Sequence, residues 1–206
     1  MDQADARVLP GEVVVRWWFK ARKGHALLPL ALVLFAGGLI AVQDTSVLLP
    51  SLTGAPRVAL SLFVPVPLLA CLMAVLESRL PAAEVSGVRP MTRLDNLLVT
   101  SVAALAVLCA VLVAPLNGTS TAVSCGRNAV FLTGLMLLGR AWAGQTAVMI
   151  PVGWLVTVVV VGFRGNVPHL WTVIALPADN VFAALASLTV FAAGLAAQIR
   201  SSRKTA

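Results

Sequence analysis

The chain is poor in charge and contains no tyrosine. Of its 206 residues only 11% are charged and 59% are hydrophobic, and the mean hydropathy is +0.95. A soluble domain of this size carries about 25% charged residues, and about 45–50% of its residues are apolar. This chain therefore has too little polar surface to cover a globule in water. The composition excludes a soluble enzyme and a disordered segment, and it predicts an integral membrane protein.

The residue patterns of common active sites are also absent. The sequence has no G-x-S-x-G nucleophile turn, no H-E-x-x-H zinc motif and no G-x-x-x-x-G-K-[ST] phosphate-binding loop. Its two histidines, His25 and His169, are predicted at opposite membrane faces and cannot share a metal ion. Cys71, Cys109 and Cys125 fall in or near different spans and behave as small apolar residues. We expect no catalytic residue, cofactor or metal in this chain, and a membrane enzyme is the weakest hypothesis.

Apolar stretches long enough to cross a membrane run along the chain. A crossing helix needs about 20 apolar residues. Six predicted spans are Ala26–Val42, Val58–Val75, Leu97–Leu116, Val123–Ala143, Thr146–Phe163 and Val181–Ile199. A tight turn at Gly144 and Gln145 separates the fourth span from the fifth. The span interiors contain no Asp, Glu or Lys, which argues against a carrier coupled to protons or sodium.

The basic residues predict the orientation of these spans. Twelve of the fifteen Lys and Arg residues lie before the first span, between spans two and three, at the turn after span four, or in the tail. By the positive-inside rule that side is cytoplasmic, so both termini are inside and the number of spans is even. We expect one all-α membrane domain: a leader over residues 1–24, a six-span bundle over 25–199 and a tail over 200–206. The net charge of +7 thus reflects orientation, and we expect no nucleic-acid partner.

The leader is predicted to form an amphipathic helix at the cytoplasmic surface. Its polar side chains recur at spacings of three and four: Glu12, Arg16, Lys20 and Lys23. Trp17 and Trp18 lie beside these cations, and tryptophan is enriched at the headgroup layer. The alternatives are a basic anchor that only sets topology and a helix that also contacts a partner.

The loop between spans two and three concentrates charge in an otherwise apolar chain. Its acidic and basic residues are Glu77, Arg79, Glu84, Arg89, Arg93 and Asp95. A short charged cytoplasmic segment between two spans is suited to docking a partner through salt bridges. A solvated connector is the equally supported alternative.

Two further features concern the membrane boundaries. Arg140 is predicted to snorkel to the interface at the end of span four. Residues 165–180 include the apolar run His169–Leu176, which is too short to span and contains Trp171. Either this segment is a re-entrant or interfacial turn, or it is a plain loop with an aromatic anchor.

The layout resembles the membrane subunit of type-2 ATP-binding cassette exporters. It shares an amphipathic basic helix, six spans, a charged loop between spans two and three, and a short semi-apolar segment before the last span. The resemblance implies that Arg16, Lys20 and the loop Glu77–Asp95 contact a separate ATPase that binds ATP and Mg²⁺. It also implies a second membrane subunit and a location in the plasma membrane. The Ala-, Val-, Leu- and Arg-rich composition is typical of a high-GC actinobacterium.

Two hypotheses follow. The first is a permease subunit that exports a hydrophobic or amphipathic compound. The second is a non-transport accessory, immunity or assembly protein that binds another membrane protein. Small residues in the last span permit close helix contact, within the chain or in a dimer: Ala183, Ala184, Ser187, Ala193, Gly194 and Ala197.

Overall fold

The computed structural model describes residues 24–42, 45–52, 54–78 and 91–204. The predicted interfacial helix, with Arg16, Trp17, Trp18 and Lys20, lies outside these ranges. So do the loop residues Arg79, Glu84 and Arg89. The described part of the chain is mostly helical.

Six α-helices occur among the described residues: α1 (Gly24–Val42), α2 (Pro65–Glu77), α3 (Met91–Asn117), α4 (Thr121–Ala143), α5 (Met149–Val161) and α6 (Val181–Lys204). Three 3₁₀ helices accompany them: Leu60–Phe63 before α2, Gly144–Val148 before α5 and Leu170–Ala175 before α6. Two short antiparallel ladders complete the fold, β1 (Ser46–Leu48) with β2 (Arg57–Ala59), and β3 (Phe163–Arg164) with β4 (Val167–Pro168).

Five helical stretches are long and apolar enough to cross a membrane, as expected for a multi-pass membrane protein. They are Gly24–Val42, Leu60–Glu77, Arg93–Leu116, Thr121–Val161 and Val181–Ser201. The count is one below the predicted six because the fourth stretch contains the fourth predicted span and the fifth as far as Val161. The predicted end of the fifth span, Phe163, belongs to β3.

The two β-ladders depart from the predicted all-α class. Both lie in connections between helices, where pairing of short extended segments satisfies backbone N–H and C=O groups. Val58 belongs to β2, where it is fully buried, so the second span begins at Leu60 and not at Val58.

The chain reverses direction between α4 and α5, at the glycine where the turn was predicted. Gly144 has φ +55° and ψ −127°, a conformation that favours glycine because it has no Cβ. The reversal lays α5 back along α4. A Cβ on Gly139 of α4 would overlap the side chain of Ile150 in α5, and the rings of Phe131 and Trp154 lie 5.8 Å apart. Helices α4 and α5 are therefore antiparallel.

Helices α4 and α6 run parallel in close contact. A Cβ added to Gly134 of α4 would lie 2.6 Å from the backbone nitrogen of Phe191 in α6. Further along both helices, a Cβ on Gly194 would lie 2.6 Å from the Gly134 carbonyl oxygen and 3.0 Å from Leu137 Cβ. These contacts progress in the same direction along the two helices. Backbone approach this close is possible only with glycine at these positions.

The small residues of the last span divide between the inside and the outside of the bundle. Ala183 and Ser187 are buried, as is Gly194, which packs on α4. Ala193 is exposed. Part of the predicted small-residue set therefore serves packing within the chain.

The connections between the helices lie at the two ends of the bundle, which we call the cap end and the turn end. At the cap end, Leu52 N donates to the Val160 carbonyl (3.0 Å), and Arg57 N donates to Asn166 Oδ1 (3.1 Å). This end includes the cap segment, residues 163–180. At the turn end, the reversal at Gly144 lies near the C-terminus of α2. Cys125 contacts Ser61 at the cap end and Arg140 contacts Glu77 at the turn end, so α2 is parallel to α4.

The close approach of α4 and α6 at Gly134 predicts that two glycine-to-alanine substitutions affect the stability of the protein differently. Gly134→Ala should lower the free energy of unfolding by about 1–3 kcal/mol, because the new methyl group meets the α6 backbone. Gly153→Ala is the matched control, since nothing lies within 4 Å of its Cβ position in the interior of α5. It should be neutral or stabilising by up to about 1 kcal/mol. Thermal unfolding in detergent measures both variants, and equal melting temperatures would contradict the close approach.

Candidate functional site

Helix α4 carries two arginines, and each forms hydrogen bonds to a different interhelical segment, one at each end of the bundle. Arg127 lies near the start of α4 and Arg140 near its end. At the rise of an α-helix the two positions are about 20 Å apart along the axis. Each guanidinium bonds to a different connection of the chain.

At the turn end, Arg140 forms a partly buried ion pair with the last residue of α2. Its Nε donates to Glu77 Oε1 at 2.8 Å, and its Nη2 donates to the Leu76 carbonyl at 3.1 Å. The side chains are 9% and 21% exposed, respectively. Removing one member of such a pair leaves a poorly solvated charge, which costs more than the pair itself contributes. Arg140, predicted to snorkel, thus joins α4 to the residue at which the charged loop begins.

An open cleft of about 420 Å³ lies beside this ion pair, between α2 and the 3₁₀ helix Gly144–Val148. Its lining is mixed: four residues are apolar, and Glu77, Ser78 and Gln145 are polar. The lining residues are Ala70, Met73, Ala74, Glu77, Ser78, Gln145 and Val148. The cleft therefore brings the reversal after α4 next to the start of the loop.

The other predicted docking residues that the structure describes differ in exposure. Arg93 is exposed near the start of α3, as a docking residue should be. Asp95 is only 2% exposed, so its carboxylate lies within the protein and not on a surface. The structure pairs Glu77 with Arg140. The docking role of the set stays a prediction.

At the cap end, Arg127 binds the backbone of the cap segment. Its Nη1 donates to the Pro177 carbonyl at 2.6 Å, and its Nη2 donates to Leu176 O at 2.7 Å and to Val173 O at 3.1 Å. Asn128 Nδ2 adds a bond of 2.7 Å to the Ile174 carbonyl. We call this set the Arg127 clamp: Arg127, Asn128 and the four carbonyl groups.

The clamp holds a strained residue. Val173 has φ 34° and ψ −56°, and it is the one non-glycine residue with positive φ in the described ranges. A β-branched side chain in this region is a steric outlier, with a cost of about 1–3 kcal/mol. Val173 is 6% exposed and its carbonyl accepts from Arg127. Burial and the clamp together stabilise a conformation that the isolated segment would avoid.

Trp171 packs on the bundle in addition to facing outward. Its ring lies 5.8 Å from that of Trp154 in α5 at an interplanar angle of 86°, the edge-to-face geometry that aromatic pairs favour. The residue is 40% exposed, and its place at a membrane interface stays a prediction. The neighbouring Thr172, Val173 and Ile174 are buried. Residues Leu170–Ala175 of the cap segment are thus folded onto the bundle end as a short 3₁₀ helix.

The sequence did not single out the Arg127 clamp. By its position Arg127 is one of the three basic residues, with Arg57 and Arg164, that fall on the side opposite the other twelve. A signal was present, because an arginine followed by an asparagine inside an apolar helix is costly without partners. The partners, however, lie 46 to 50 residues further along the chain and could not be assigned without the fold.

The chain was also compared with known proteins. No protein-family model, no curated protein and no solved structure matches it.

The strain at Val173 predicts an inverted ranking of two substitutions. Val173→Gly and Val173→Ala both remove the buried side chain, but only glycine adopts φ 34° freely. We expect the glycine variant to be more stable than the alanine variant by about 1 kcal/mol. Thermal unfolding of both variants checks this ranking. In an unstrained segment alanine would be the more stable of the two, and that order would refute the strain.

The Arg140–Glu77 ion pair predicts that substitutions of its two members have non-additive effects on the free energy of unfolding. Arg140→Gln and Glu77→Gln should each lower the free energy of unfolding by about 1.5–3 kcal/mol, because each leaves its partner's charge partly buried. The double variant should be less destabilised than the sum of the two single variants. Arg200→Gln, an exposed residue on α6, is the control and should have little effect. Additive effects in a denaturant titration would show that the two side chains are not coupled.

Proposed function

We propose that this chain is the membrane-spanning subunit of an ATP-binding cassette transporter that exports a hydrophobic or amphipathic compound. ATP and Mg²⁺ bind to a separate ATPase chain, and this chain carries out no catalysis. The observation that carries the proposal is the arrangement of α4. This single helix is bonded to the start of the charged loop at one end and to the cap segment at the other.

Six crossings are part of the proposal. The 3₁₀ helix Gly144–Val148 leads directly into α5, and at about 2.0 and about 1.5 Å per residue the two extend about 30 Å. That length matches the hydrocarbon core of a bilayer. The antiparallel course of α5 and the bond from Leu52 N to Val160 O at the cap end support a full return crossing. With six crossings, the turn end and both termini lie on the same side of the membrane. The basic residues make that side cytoplasmic, and the proposed location is the plasma membrane.

The proposed coupling is mechanical. A docked ATPase displaces the loop that begins after Glu77, and Glu77 transmits the displacement to Arg140. The close packing of α4 against α6 at Gly134 and Gly194 supports a movement of the two helices as one unit. The displacement therefore reaches Arg127 and the cap segment at the other side of the membrane. A second membrane subunit, identical or different, completes the pathway.

The exposed surface supports a cargo or neighbours of apolar character. Large apolar side chains of α3 and α6 are exposed in the single chain, among them Leu112, Leu116 and Leu188. The same surface also suits the alternative function, a non-transport accessory, immunity or assembly protein that binds another membrane protein. The two functions differ in whether an ATPase accompanies the chain.

Purification of the tagged protein in mild detergent tests the proposal. We expect an ATPase with a phosphate-binding loop to copurify, and its activity to change when this chain is present. Copurification of another membrane protein without any ATPase would favour the alternative function.

Surface charge reversals test the docking face. Glu84→Lys and Arg93→Glu should reduce the ATPase recovered with the chain by about ten-fold or more, because complementary charges hold the complex. Arg164→Glu, exposed in the cap segment at the opposite end, is the matched control and should leave recovery unchanged. Equal recovery with all three variants would remove the loop as the docking site. Glu77 and Asp95 are unsuitable for this test, because one is paired with Arg140 and the other is buried.

A further inference from the structure

The guanidinium of the Arg127 clamp is bound by neutral oxygens. Carbonyl groups of Val173, Leu176 and Pro177 accept from its Nη atoms, together with the side-chain oxygen of Asn128. Within the described ranges no carboxylate forms an ion pair with Arg127, in contrast to Arg140. The Nε atom is buried and has no hydrogen-bond partner. Among the described residues only dipoles compensate this charge, and one of its donors is unused.

We propose that Arg127 is a binding site for the anionic group of an amphipathic molecule, and that the cap segment occupies this site when the protein is closed. A phosphate or carboxylate binds guanidinium in a bidentate manner and about twice as strongly as neutral acceptors do. It would use the free Nε together with an Nη group. Because it supplies the negative charge that the carbonyl groups lack, it can displace them from Arg127.

The strain at Val173 makes this displacement easier. In the closed form the clamp holds Val173 at φ 34°, and release of the Val173 carbonyl allows the backbone to leave this region. The relief of strain therefore offsets part of the loss of the bonds to the cap segment. A ligand that binds only the released form shifts the population toward that form.

The exposed apolar side chains near the Arg127 clamp indicate that the ligand also has an apolar part. Leu170 and Trp171 of the cap segment are exposed beside the partly buried clamp, and so are Val181 and Phe182 at the start of α6. An apolar tail can lie against these side chains while the anionic head reaches Arg127. The ligand class is an anionic amphipath, whether a lipid or a free compound. To regard it as the cargo rests on the proposed function, but its binding does not require an ATPase.

The test uses a thiol reporter inside the cap segment. Thr172 is fully buried, so Thr172→Cys is introduced after Cys71, Cys109 and Cys125 are replaced by alanine. The protein is placed in phosphatidylcholine nanodiscs and labelled with a charged maleimide. Dodecyl phosphate should raise the labelling rate about ten-fold, whereas dodecyltrimethylammonium, with the same chain length, should not. A second preparation containing phosphatidylglycerol distinguishes the sources: fast labelling there identifies a lipid headgroup, and fast labelling only with dodecyl phosphate identifies a free amphipath.

Variants connect the response to Arg127. Arg127→Gln should label about ten-fold faster without any probe and should not respond to dodecyl phosphate, because both the clamp and the anion site are lost. Arg164→Gln, an exposed arginine of the same segment, should behave as the parent. The proposal is overturned if both amphiphiles act equally, if Arg127→Gln still responds, or if Arg127→Gln labels as slowly as the parent.

A second measurement avoids the cysteine replacements, which could impair folding. Hydrogen–deuterium exchange of the unmodified protein reports the backbone bonds from Thr172 N to His169 O and from Leu176 N to Val173 O. Dodecyl phosphate should accelerate exchange of both amides by about ten-fold, and unchanged exchange would overturn the proposal. This readout is independent of ATPase recovery, so the anion site and the transporter assignment can fail separately.

Discussion

The parallel contact between α4 and α6 at Gly134 and Gly194 is the constraint on which the rest of the fold depends. Because the two helices are parallel and near each other in sequence, the chain between them has to cross back from the end of α4 to the start of α6. Here α5 provides the return, and the cap segment then leads from α5 to the first residue of α6. The reversal at Gly144, the length of α5 and the position of the cap segment all follow from this one packing arrangement.

The two arginines of α4 have different kinds of partner, and this difference separates a fixed end from a releasable one. Arg140 is neutralised by a carboxylate, so separating the pair exposes two charges to an apolar environment. Arg127 is held by carbonyl groups, which any stronger acceptor can replace without leaving a second charge behind. The same helix therefore combines a rigid attachment at the turn end with an exchangeable one at the cap end.

Hydropathy was sufficient to predict most of the helices. The run Ala26–Val42 lies within α1, and the chain reverses at Gly144, where the turn was predicted. The error at Val58 arose because a buried strand and the start of a helix are equally apolar in sequence. Burial of Asp95 and the pairing of Arg140 with Glu77 were missed, because charge pattern reports neither exposure nor a partner 63 residues away. The Arg127 clamp likewise depends on tertiary structure.

The reversal at Gly144 has a consequence for how the chain is made. The stretch Thr121–Val161 is 41 residues long and apolar on average. By hydropathy alone, the insertion machinery would recognise it as one transmembrane segment. In the six-crossing arrangement it has to enter the bilayer as a helical hairpin. A residue that resists φ +55° at position 144 would favour a single continuous helix and leave α6 and the tail inverted. The sidedness of everything after residue 144 is then determined by one backbone conformation during biogenesis.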